Sequence, residues 1–361
     1  HTIWMRRCLQ LAALGAGRVA PNPMVGAVLV QGQRILAEGW HQRFGGPHAE
    51  VECLRAFGDG PIPDNAILYV NLEPCAHHGK TPPCTEALIN AGIRRVVCPI
   101  DDPNPLVSGS GFERLRNAGI EVVTGVLADE ASRLNEKFIC WHQEKRPFVH
   151  LKLAISLDGR ISVNGSVSTA LSGAAARARV HDLRHEHDAI LVGASTAVID
   201  NPSLTDRSGK ARRRPLVRVI LDNRLRLSPD SILATTTGDA PTIVFTNCID
   251  PATVARLTDR GVEVVPIEGG ARNLTAVLEE LCKREIQSVL VEGGTAVAGA
   301  FVEARLIDKI TFIYAPMIIG GESPSAVGGP GISSLAEALR LKDIDMDRLG
   351  DDVEMTGYPI K

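Results

Sequence analysis

The stretch from His48 to Cys84 constrains this chain most, because it holds three side chains suited to binding one metal ion. His48 begins a His-Ala-Glu sequence, and Cys75 and Cys84 each follow a proline, where we expect a helix to start. Three such ligands are typical of a catalytic zinc site, which keeps a fourth position for water, whereas a structural zinc site has four. Glu50 stands where its carboxylate could move protons without binding the metal. We therefore expect one Zn²⁺ per chain, bound by His48, Cys75 and Cys84, with Glu50 as general acid and base.

The spacing of the two cysteines narrows this interpretation. Zinc deaminases that act on bases combine His-x-Glu with a later Pro-Cys-x-x-Cys. Here eight residues, 76–83, separate Cys75 from Cys84. The segment 73–84, EPCAHHGKTPPC, closely resembles the corresponding segment of the bifunctional deaminase-reductases of riboflavin biosynthesis. The segment 21–26, PNPMVG, resembles a second motif of that family.

Length and composition set further limits. A chain of 361 residues exceeds the usual size of one domain, so two domains are expected. The net charge of −3 argues against a nucleic-acid partner, which requires a basic surface. No apolar run is long enough to span a membrane, and the first residues lack the apolar core of a signal peptide. The cysteines do not form a disulfide framework, so we expect a cytoplasmic protein.

Strands alternate with helices along the whole chain. In the first part, the pattern predicts helices over 3–14, 48–57, 83–91, 111–118 and 128–143, and strands over 25–30, 35–39, 66–71, 95–98 and 120–123. In the second part, it predicts a strand from residue 148, further strands over 189–193, 216–221, 242–245, 262–265, 288–291 and 309–315, and helices over 274–283 and 297–304. Such alternation is typical of layered α/β domains. We place the boundary at 145–146, giving domains 1–145 and 146–361.

The second chemical motif is Glu292-Gly293-Gly294-Thr295, which follows a predicted strand and precedes a helix. Two glycines let a phosphate approach the backbone, and a helix N-terminus favours its negative charge. No G-x-G-x-x-G follows an early strand, so a standard Rossmann dehydrogenase is not supported. Together with 151–160 and 188–207, the motif resembles the reductase domain of the same riboflavin family. The resemblance implies an N-terminal cytidine-deaminase-like three-layer α/β/α domain and a C-terminal dihydrofolate-reductase-like α/β domain.

The resemblance also implies contacts, residue by residue. In the deaminase domain, the implied substrate-binding residues are Asn22, His41, His77, Lys80, Asp101 and Asn104. In the reductase domain, the residues that would contact NADPH are Ala154, Thr196, Asp200, Gly293, Gly294 and Thr295, and Asn223 with its neighbour Arg224 could receive the 2′-phosphate. The implied substrate contacts there are Lys152, Ser168, Arg184, Leu204, Arg207 and Glu292.

The implied activities are zinc-dependent deamination of a pyrimidine ribosylamine phosphate and NADPH-dependent reduction of its ribosyl group, by a homo-oligomer, either a dimer or a tetramer. Two alternatives remain open. One is a deaminase of nucleic acid or free bases joined to an unrelated α/β domain, which the acidic charge and the cysteine spacing oppose. The other is a protein without enzymatic activity whose zinc is structural. That alternative needs a fourth protein ligand, for which His77 is the nearest candidate.

Overall fold

The computed structural model describes residues 1–77, 82–105, 107–164 and 170–360. They form two compact units. The first comprises His1–Lys145 with Ala211–Arg213, and the second comprises Arg146–Lys210 with the chain from Arg214 onward. Each unit has its own sheet and hydrophobic core. Within the described residues, no helix has both the length and the apolar character that crossing a membrane requires.

The first unit is built on a five-stranded sheet with strand order β2-β1-β3-β4-β5. Strand β1 is antiparallel to both of its neighbours, and β3, β4 and β5 are parallel. In chain order, the elements are α1 Thr2–Ala13, β1 Gly26–Gln31, β2 Arg34–Trp40, α2 Ala49–Phe57, β3 Ala66–Val70, α3 Cys84–Asn90, β4 Arg95–Val97, α4 Ser110–Asn117, β5 Glu121–Val123, α5 Ala128–Leu134 and α6 Glu136–Glu144.

Alternate residues of β1 contact different layers of helices. Val28 and Val30 pack in a cluster with α1, whereas Ala27 and Leu29 pack in a cluster with α2, α3 and α4. This follows from the geometry of a strand, in which successive side chains point to opposite faces. The first unit is therefore a three-layer α/β/α sandwich, and α2 and α3 bring the ends that carry His48 and Cys84 to the same side of the sheet.

The sequence predicts a single helix over 128–143, and this prediction is wrong. Helices α5 and α6 meet at Asn135, whose backbone leaves the helical conformation at φ −107°, ψ 21°. The Asn135 side chain accepts the Met24 N–H at 2.8 Å and donates to the Met24 carbonyl at 2.9 Å. Side chains such as Asn readily form such bonds at the expense of helix. A contact between residues 111 positions apart therefore breaks the helix.

The second unit is built on a nine-stranded sheet, order β10-β9-β8-β7-β11-β6-β12-β14-β13, parallel from β10 to β12 and antiparallel beyond. Two 3-10 turns, Gly270–Arg272 and Leu335–Glu337, accompany it. The elements are β6 Phe148–Ser156, α7 Ala174–Glu186, β7 Ala189–Gly193, α8 Ala194–Ile199, β8 Val217–Leu221, α9 Ile232–Thr235, β9 Thr242–Thr246, α10 Pro251–Thr258, β10 Glu263–Pro266, α11 Leu274–Lys283, β11 Ser288–Val291, α12 Thr295–Glu303, β12 Lys309–Ala315, β13 Leu341–Leu349 and β14 Asp352–Pro359.

Helices cover both faces of the parallel part of this sheet. On β7, Leu191 packs in the cluster with α11 and α12, and Ile190 packs in the cluster with α8, α9 and α10. The parallel strands all end at one edge, where ligands bind in open α/β sheets. We therefore expect a cofactor site at the carboxyl ends of β8, β7 and β11. The final hairpin, β13 with β14, was not among the predicted elements.

Candidate active sites

The three proposed zinc ligands lie together in the first unit. His48 Nδ1 is 3.2 Å from Cys84 Sγ and 3.6 Å from Cys75 Sγ. All three ligand atoms lie within 4.8 Å of one another. His48 is the N-cap residue of α2, and Cys84 is the first residue of α3, so two helix starts hold two of the ligands. Exposed His77 does not belong to this cluster among the residues described.

Cys75 lies in the loop after β3, so the prediction that it also begins a helix is wrong. The sulfur and the backbone carbonyl of Cys75 instead accept hydrogen bonds from the start of α3. The Cys84 N–H donates to Cys75 Sγ at 3.3 Å, and the Thr85 N–H donates to the Cys75 carbonyl at 3.2 Å. These bonds satisfy backbone donors that the first turn of a helix leaves free.

The electrostatics of the cluster suit a metal ion. A hydrogen bond with the Cys84 thiol, together with those from His48 and the Cys84 N–H, lowers the pKa of the Cys75 thiol to about 4. Thiolate is the form of cysteine that binds metals. Two sulfurs and one imidazole nitrogen at these distances fit Zn²⁺, and the described residues add no fourth ligand to this cluster.

Glu50 is the second residue of α2 and is only 3% exposed. Burial raises the pKa of its carboxyl to about 6. Glu50 lines a cavity of about 340 Å³ together with His48 and Cys75. A buried carboxyl of this kind can accept and release a proton near neutral pH, which is what a general acid and base requires.

The structure places most of the other expected deaminase contacts around this cavity. Asn22, His41, His77 and Asn104 line it. Asp101 does not: it is exposed and accepts a hydrogen bond from Ser108 Oγ at 3.2 Å. Lys80 lies outside the described residues.

His41 is held in one orientation. Its Nδ1 lies 2.8 Å from the Pro47 carbonyl, which can only accept, so Nδ1 must be the donor. His41 Nε2 is then an acceptor for Asn22 Nδ2, 3.1 Å away. Burial lowers the pKa of His41, which favours this neutral form.

Two acidic residues near the cluster were not identified from the sequence. Asp102, the neighbour of Asp101, lines the cavity, and burial raises the pKa of its carboxyl to about 6. Glu73 is buried, and its two oxygens accept four backbone N–H groups, from Asp102, Gly109, Gly111 and Phe112. The motif around Cys75 included Glu73, but its four donors lie 29 to 39 residues further along the chain. Sequence spacing therefore did not indicate these contacts.

In the second unit, a cavity of about 1100 Å³ lies at the carboxyl ends of β8, β7 and β11. Five of the expected NADPH contacts line it: Thr196, Asp200, Asn223, Gly294 and Thr295. Ala154 and Gly293 are not among its lining residues.

The two adjacent glycines have different surroundings. A Cβ at Gly293 would lie 2.5 Å from Val297 Cβ, so packing against α12 requires glycine there. A Cβ at Gly294 would meet no protein atom closer than Thr196 Oγ1 at 3.8 Å. Gly294 is the N-cap residue of α12, where backbone N–H groups favour an anion. The fold therefore requires Gly293, whereas the open backbone at Gly294 faces space that a ligand can use.

Asn223 holds a neighbouring turn in place. Its Oδ1 accepts the Ala271 N–H at 2.5 Å, which fixes the 3-10 turn Gly270–Arg272 beside the end of β8. Arg224 follows Asn223 in the chain, and Arg272 follows Ala271. Both arginines are exposed and line the cavity. Arg272 was missed in the sequence because its proximity depends on the contact of Asn223 with residue 271.

Three of the expected substrate contacts of the reductase domain, Lys152, Arg184 and Glu292, form a charged group. Arg184 Nε and Nη2 donate to the two oxygens of Glu292 at 2.8 and 3.1 Å, and Lys152 Nζ lies 3.8 Å from Glu292 Oε2. Burial lowers the pKa of Lys152, and the Glu292 pKa is lowered despite burial because Arg184 and Lys152 stabilise its charge. Arg184 also donates to the Thr205 carbonyl at 3.2 Å.

The loop that contains Thr205 carries two more of the expected substrate contacts. Leu204 is buried, and Arg207 donates to Thr205 Oγ1 and to Ser203 Oγ. Because Glu292 occupies the planar end of Arg184, the guanidinium of exposed Arg207 is the more accessible of the two. Ser168 lies outside the described residues.

Comparisons with known proteins identify both units. Residues 1–100 match the family model of the cytidine and deoxycytidylate deaminase zinc-binding region, and residues 147–355 match that of the RibD C-terminal domain. The fold and the sites define a two-domain enzyme in which a deaminase domain precedes a reductase domain.

Full-length relatives carry the same two domains in one chain. The riboflavin biosynthesis protein RibD of Bacillus amyloliquefaciens is 41% identical over 358 residues, which cover 99% of this chain and 95% of that protein. The chain belongs to the RibD family, the bifunctional deaminase-reductases of riboflavin biosynthesis.

Solved structures of similar proteins support the same family assignment. Acinetobacter baumannii RibD has a TM-score of 0.89 at 36% identity, covering 100% of this chain and 99% of that one. The deaminase/reductase of Thermotoga maritima has a TM-score of 0.86 at 38% identity, covering 99% and 98%. The expected family, the fold class and the bifunctional activity are therefore confirmed.

Proposed function

We propose that this chain catalyses two successive reactions on one small molecule. The first is zinc-dependent hydrolytic deamination of 2,5-diamino-6-ribosylamino-4(3H)-pyrimidinone 5′-phosphate. The second is NADPH-dependent reduction of its ribosyl group to ribityl, giving 5-amino-6-ribitylamino-uracil 5′-phosphate. The observation that carries this proposal is the cluster of His48, Cys75 and Cys84 beside a cavity that His48, Cys75 and buried Glu50 line.

In the deaminase site, His48, Cys75 and Cys84 would hold one Zn²⁺. Bound there, the ion supplies a water molecule that loses its proton near neutral pH. Glu50 takes that proton and delivers it to the amino group that leaves C2 of the ring as ammonia. Asn22, His41, His77 and Asn104, which line the cavity, would bind and orient the substrate together with Lys80.

In the reductase site, the cavity at the carboxyl ends of the strands would hold NADPH, which supplies the hydride for C1 of the sugar. Gly294 and Thr295 would bind the diphosphate at the start of α12, with Thr196 and Asp200 alongside. Arg224 and Arg272 would bind the 2′-phosphate, and Asn223 would position them. This arrangement extends across three neighbouring strands, which suits a long dinucleotide.

The substrate of the second reaction would lie against the group of Lys152, Arg184 and Glu292. Arg207 would bind the ribose phosphate through its planar guanidinium, which matches phosphate oxygens in pairs. Leu204 and Ser168 would complete the contacts.

We also propose a cytoplasmic homo-oligomer, a dimer or a tetramer. None of the eight cysteines, all of which lie among the described residues, is paired in a disulfide, in keeping with a reducing compartment. The edge strand β13 exposes 66% of Met346 and 45% of Ile344, and unpaired edges of this kind tend to associate. Light scattering on the purified chain gives the oligomeric state directly, and a monomer at micromolar concentration would contradict this part of the proposal.

The test of function is an assay of the zinc-loaded chain with the diaminopyrimidinone ribosylamine phosphate. We expect release of one ammonia per substrate without NADPH, and oxidation of one NADPH after its addition. Cytidine and single-stranded RNA serve as controls and should release no ammonia. Ammonia from RNA but not from the pyrimidinone would reject the proposal.

A further inference from the structure

Helix α6 places three aromatic side chains in the wall of the deaminase cavity. Phe138, Trp141 and His142 all line this cavity, as do His48 and Glu50. Their spacing of three and four residues puts them on one face of the helix. The His142 ring packs edge-on against both neighbours, with ring centroids 4.5 Å from Phe138 and 4.9 Å from Trp141. These three side chains form one continuous surface, here named the α6 aromatic wall.

Trp141 is an unusual choice for a purely structural position. Its Nε1–H is buried, and the described residues offer it no hydrogen-bond acceptor. Buried donors without a partner are rare in folded proteins because they destabilise the fold. A phenylalanine would fill most of the same space without an unpaired donor. The stability of the fold alone therefore does not explain an indole at residue 141.

The lining of the cavity indicates which part of a ligand the wall contacts. Among the described lining residues there is no Lys or Arg, whereas Glu50, Glu73 and Asp102 are acidic. The described lining therefore offers a phosphate no guanidinium or ammonium partner. A flat, uncharged heterocycle would be accepted, because ring faces pack favourably on aromatic side chains.

We propose that the α6 aromatic wall binds the heterocyclic ring of the deaminase substrate and that Trp141 is its specificity-determining residue. This inference rests on the proposed deaminase function and deepens it. The wall holds the ring in the cavity that contains Glu50, while the sugar phosphate lies outside the wall. None of the three aromatic residues was identified as a site residue from the sequence.

Substitution of Trp141 separates this role from a structural one. In the zinc-loaded full chain, Trp141→Phe should raise KM for ammonia release about fivefold, and Trp141→Leu about 20-fold, with kcat changing less. Zinc content and NADPH oxidation with the deaminated pyrimidine should stay at the wild-type level. The melting temperature of Trp141→Phe should not fall, because the variant removes an unpaired buried donor.

A matched control is Trp4→Phe, since Trp4 packs against the α1 cluster and does not line the cavity. It should leave KM unchanged. If Trp141→Phe lowers the melting temperature and leaves KM unchanged, Trp141 is structural and the inference is overturned.

A binding measurement on the wild-type chain tests the same inference without relying on activity. The chain has three tryptophans, Trp4, Trp40 and Trp141, and all belong to the first unit. Their indole N–H resonances in the ¹⁵N-labelled, zinc-loaded chain therefore report on the deaminase domain, and Trp141→Phe assigns the resonance of Trp141.

The probe is the deaminated pyrimidine ribosylamine phosphate without NADPH, so that no reduction follows. We expect the Trp141 resonance to shift at saturation, the Trp4 resonance to stay, and ribose 5-phosphate alone to shift neither. An unmoved Trp141 resonance, or one that moves with ribose 5-phosphate alone, overturns the inference. If the wild type released no ammonia yet the pyrimidine still shifted Trp141, the proposed function would fail while ring binding by the wall would stand.

Discussion

Glu73 Oε1 accepts the backbone N–H of Gly111 at 2.8 Å, and this bond joins the loop that carries Cys75 to the first turn of α4. A Cβ at residue 111 would lie 2.1 Å from the Pro74 carbonyl oxygen, so the two segments can approach this closely only with glycine there. Three more backbone N–H groups donate to the same carboxylate. A single buried side chain thus fixes two walls of the deaminase cavity.

We predict that Glu73→Gln destabilises the deaminase domain. The amide group would face backbone donors that the carboxylate accepted, which should lower the free energy of unfolding by about 3 kcal/mol. Urea unfolding followed by tryptophan fluorescence measures this, because all tryptophans lie in the first unit. The control is Glu86→Gln, which breaks the half-exposed pair with Arg114 and should cost under about 1 kcal/mol. Equal stability of the two variants would contradict this role of Glu73.

The two glycines before α12 should respond differently to substitution. Gly294→Val should fold normally and weaken NADPH binding about tenfold or more, because its side chain would occupy the space that the cofactor needs. Gly293→Ala should instead lower the melting temperature of the reductase domain, since its Cβ would overlap Val297. Fluorescence titration with NADPH and thermal unfolding of both variants provide the comparison. An unchanged dissociation constant for Gly294→Val would show that this turn does not hold the nucleotide.

Arg272 should contribute to the choice between NADPH and NADH. Arg272→Ala removes a cation from the cavity and should raise the dissociation constant of NADPH about tenfold while leaving that of NADH unchanged. The matched control is Arg256→Ala, an exposed arginine of α10 that does not line the cavity. Calorimetric titration with 2′-phosphoadenosine nucleotides isolates the effect from turnover. Equal weakening of NADPH and NADH would place Arg272 elsewhere on the cofactor.

The stability of the deaminase domain should depend on pH through His142. Burial, aided by Lys145, lowers the pKa of His142 from 6.5 to about 4 in the folded chain. The unfolded chain therefore binds more protons between these values, and stability falls as the pH drops from 6.5 towards 4. His142→Phe should flatten this part of the profile. Urea midpoints at pH 7 and pH 4.5 test this, and an equal loss in both proteins would assign the pH dependence to other groups.

Much of the deaminase site was predictable because its residues lie in short motifs. His48 and Glu50 are two residues apart, and Cys75 and Cys84 follow prolines in one segment, so spacing alone indicated a metal site. The same holds for Gly293 and Gly294 between a strand and a helix. In each case the chemistry is local in sequence, and the fold only has to bring two or three motifs together.

Features that depend on distant contacts were missed. The break at Asn135 depends on Met24, and the placement of Arg272 depends on Asn223. Strand β13 did show alternating Ile344 and Met346, but a bulge between residues 342 and 345, with Asp343 at φ 53°, interrupts the period that identifies a strand. Trp141 and Asp102 carry no motif, and only the folded chain shows that they share one cavity.

The most direct test of the central claim is Glu50→Gln, which keeps the size of the side chain but removes its ability to carry a proton. General acid and base roles are worth about 10²- to 10⁴-fold in rate, so ammonia release should fall by that factor. Zinc should stay bound at one ion per chain, because His48, Cys75 and Cys84 remain. Reduction of the deaminated pyrimidine by NADPH should continue near the wild-type rate. A variant that deaminates normally, or that loses its zinc, would contradict the assignment of Glu50 as a proton carrier that does not bind the metal.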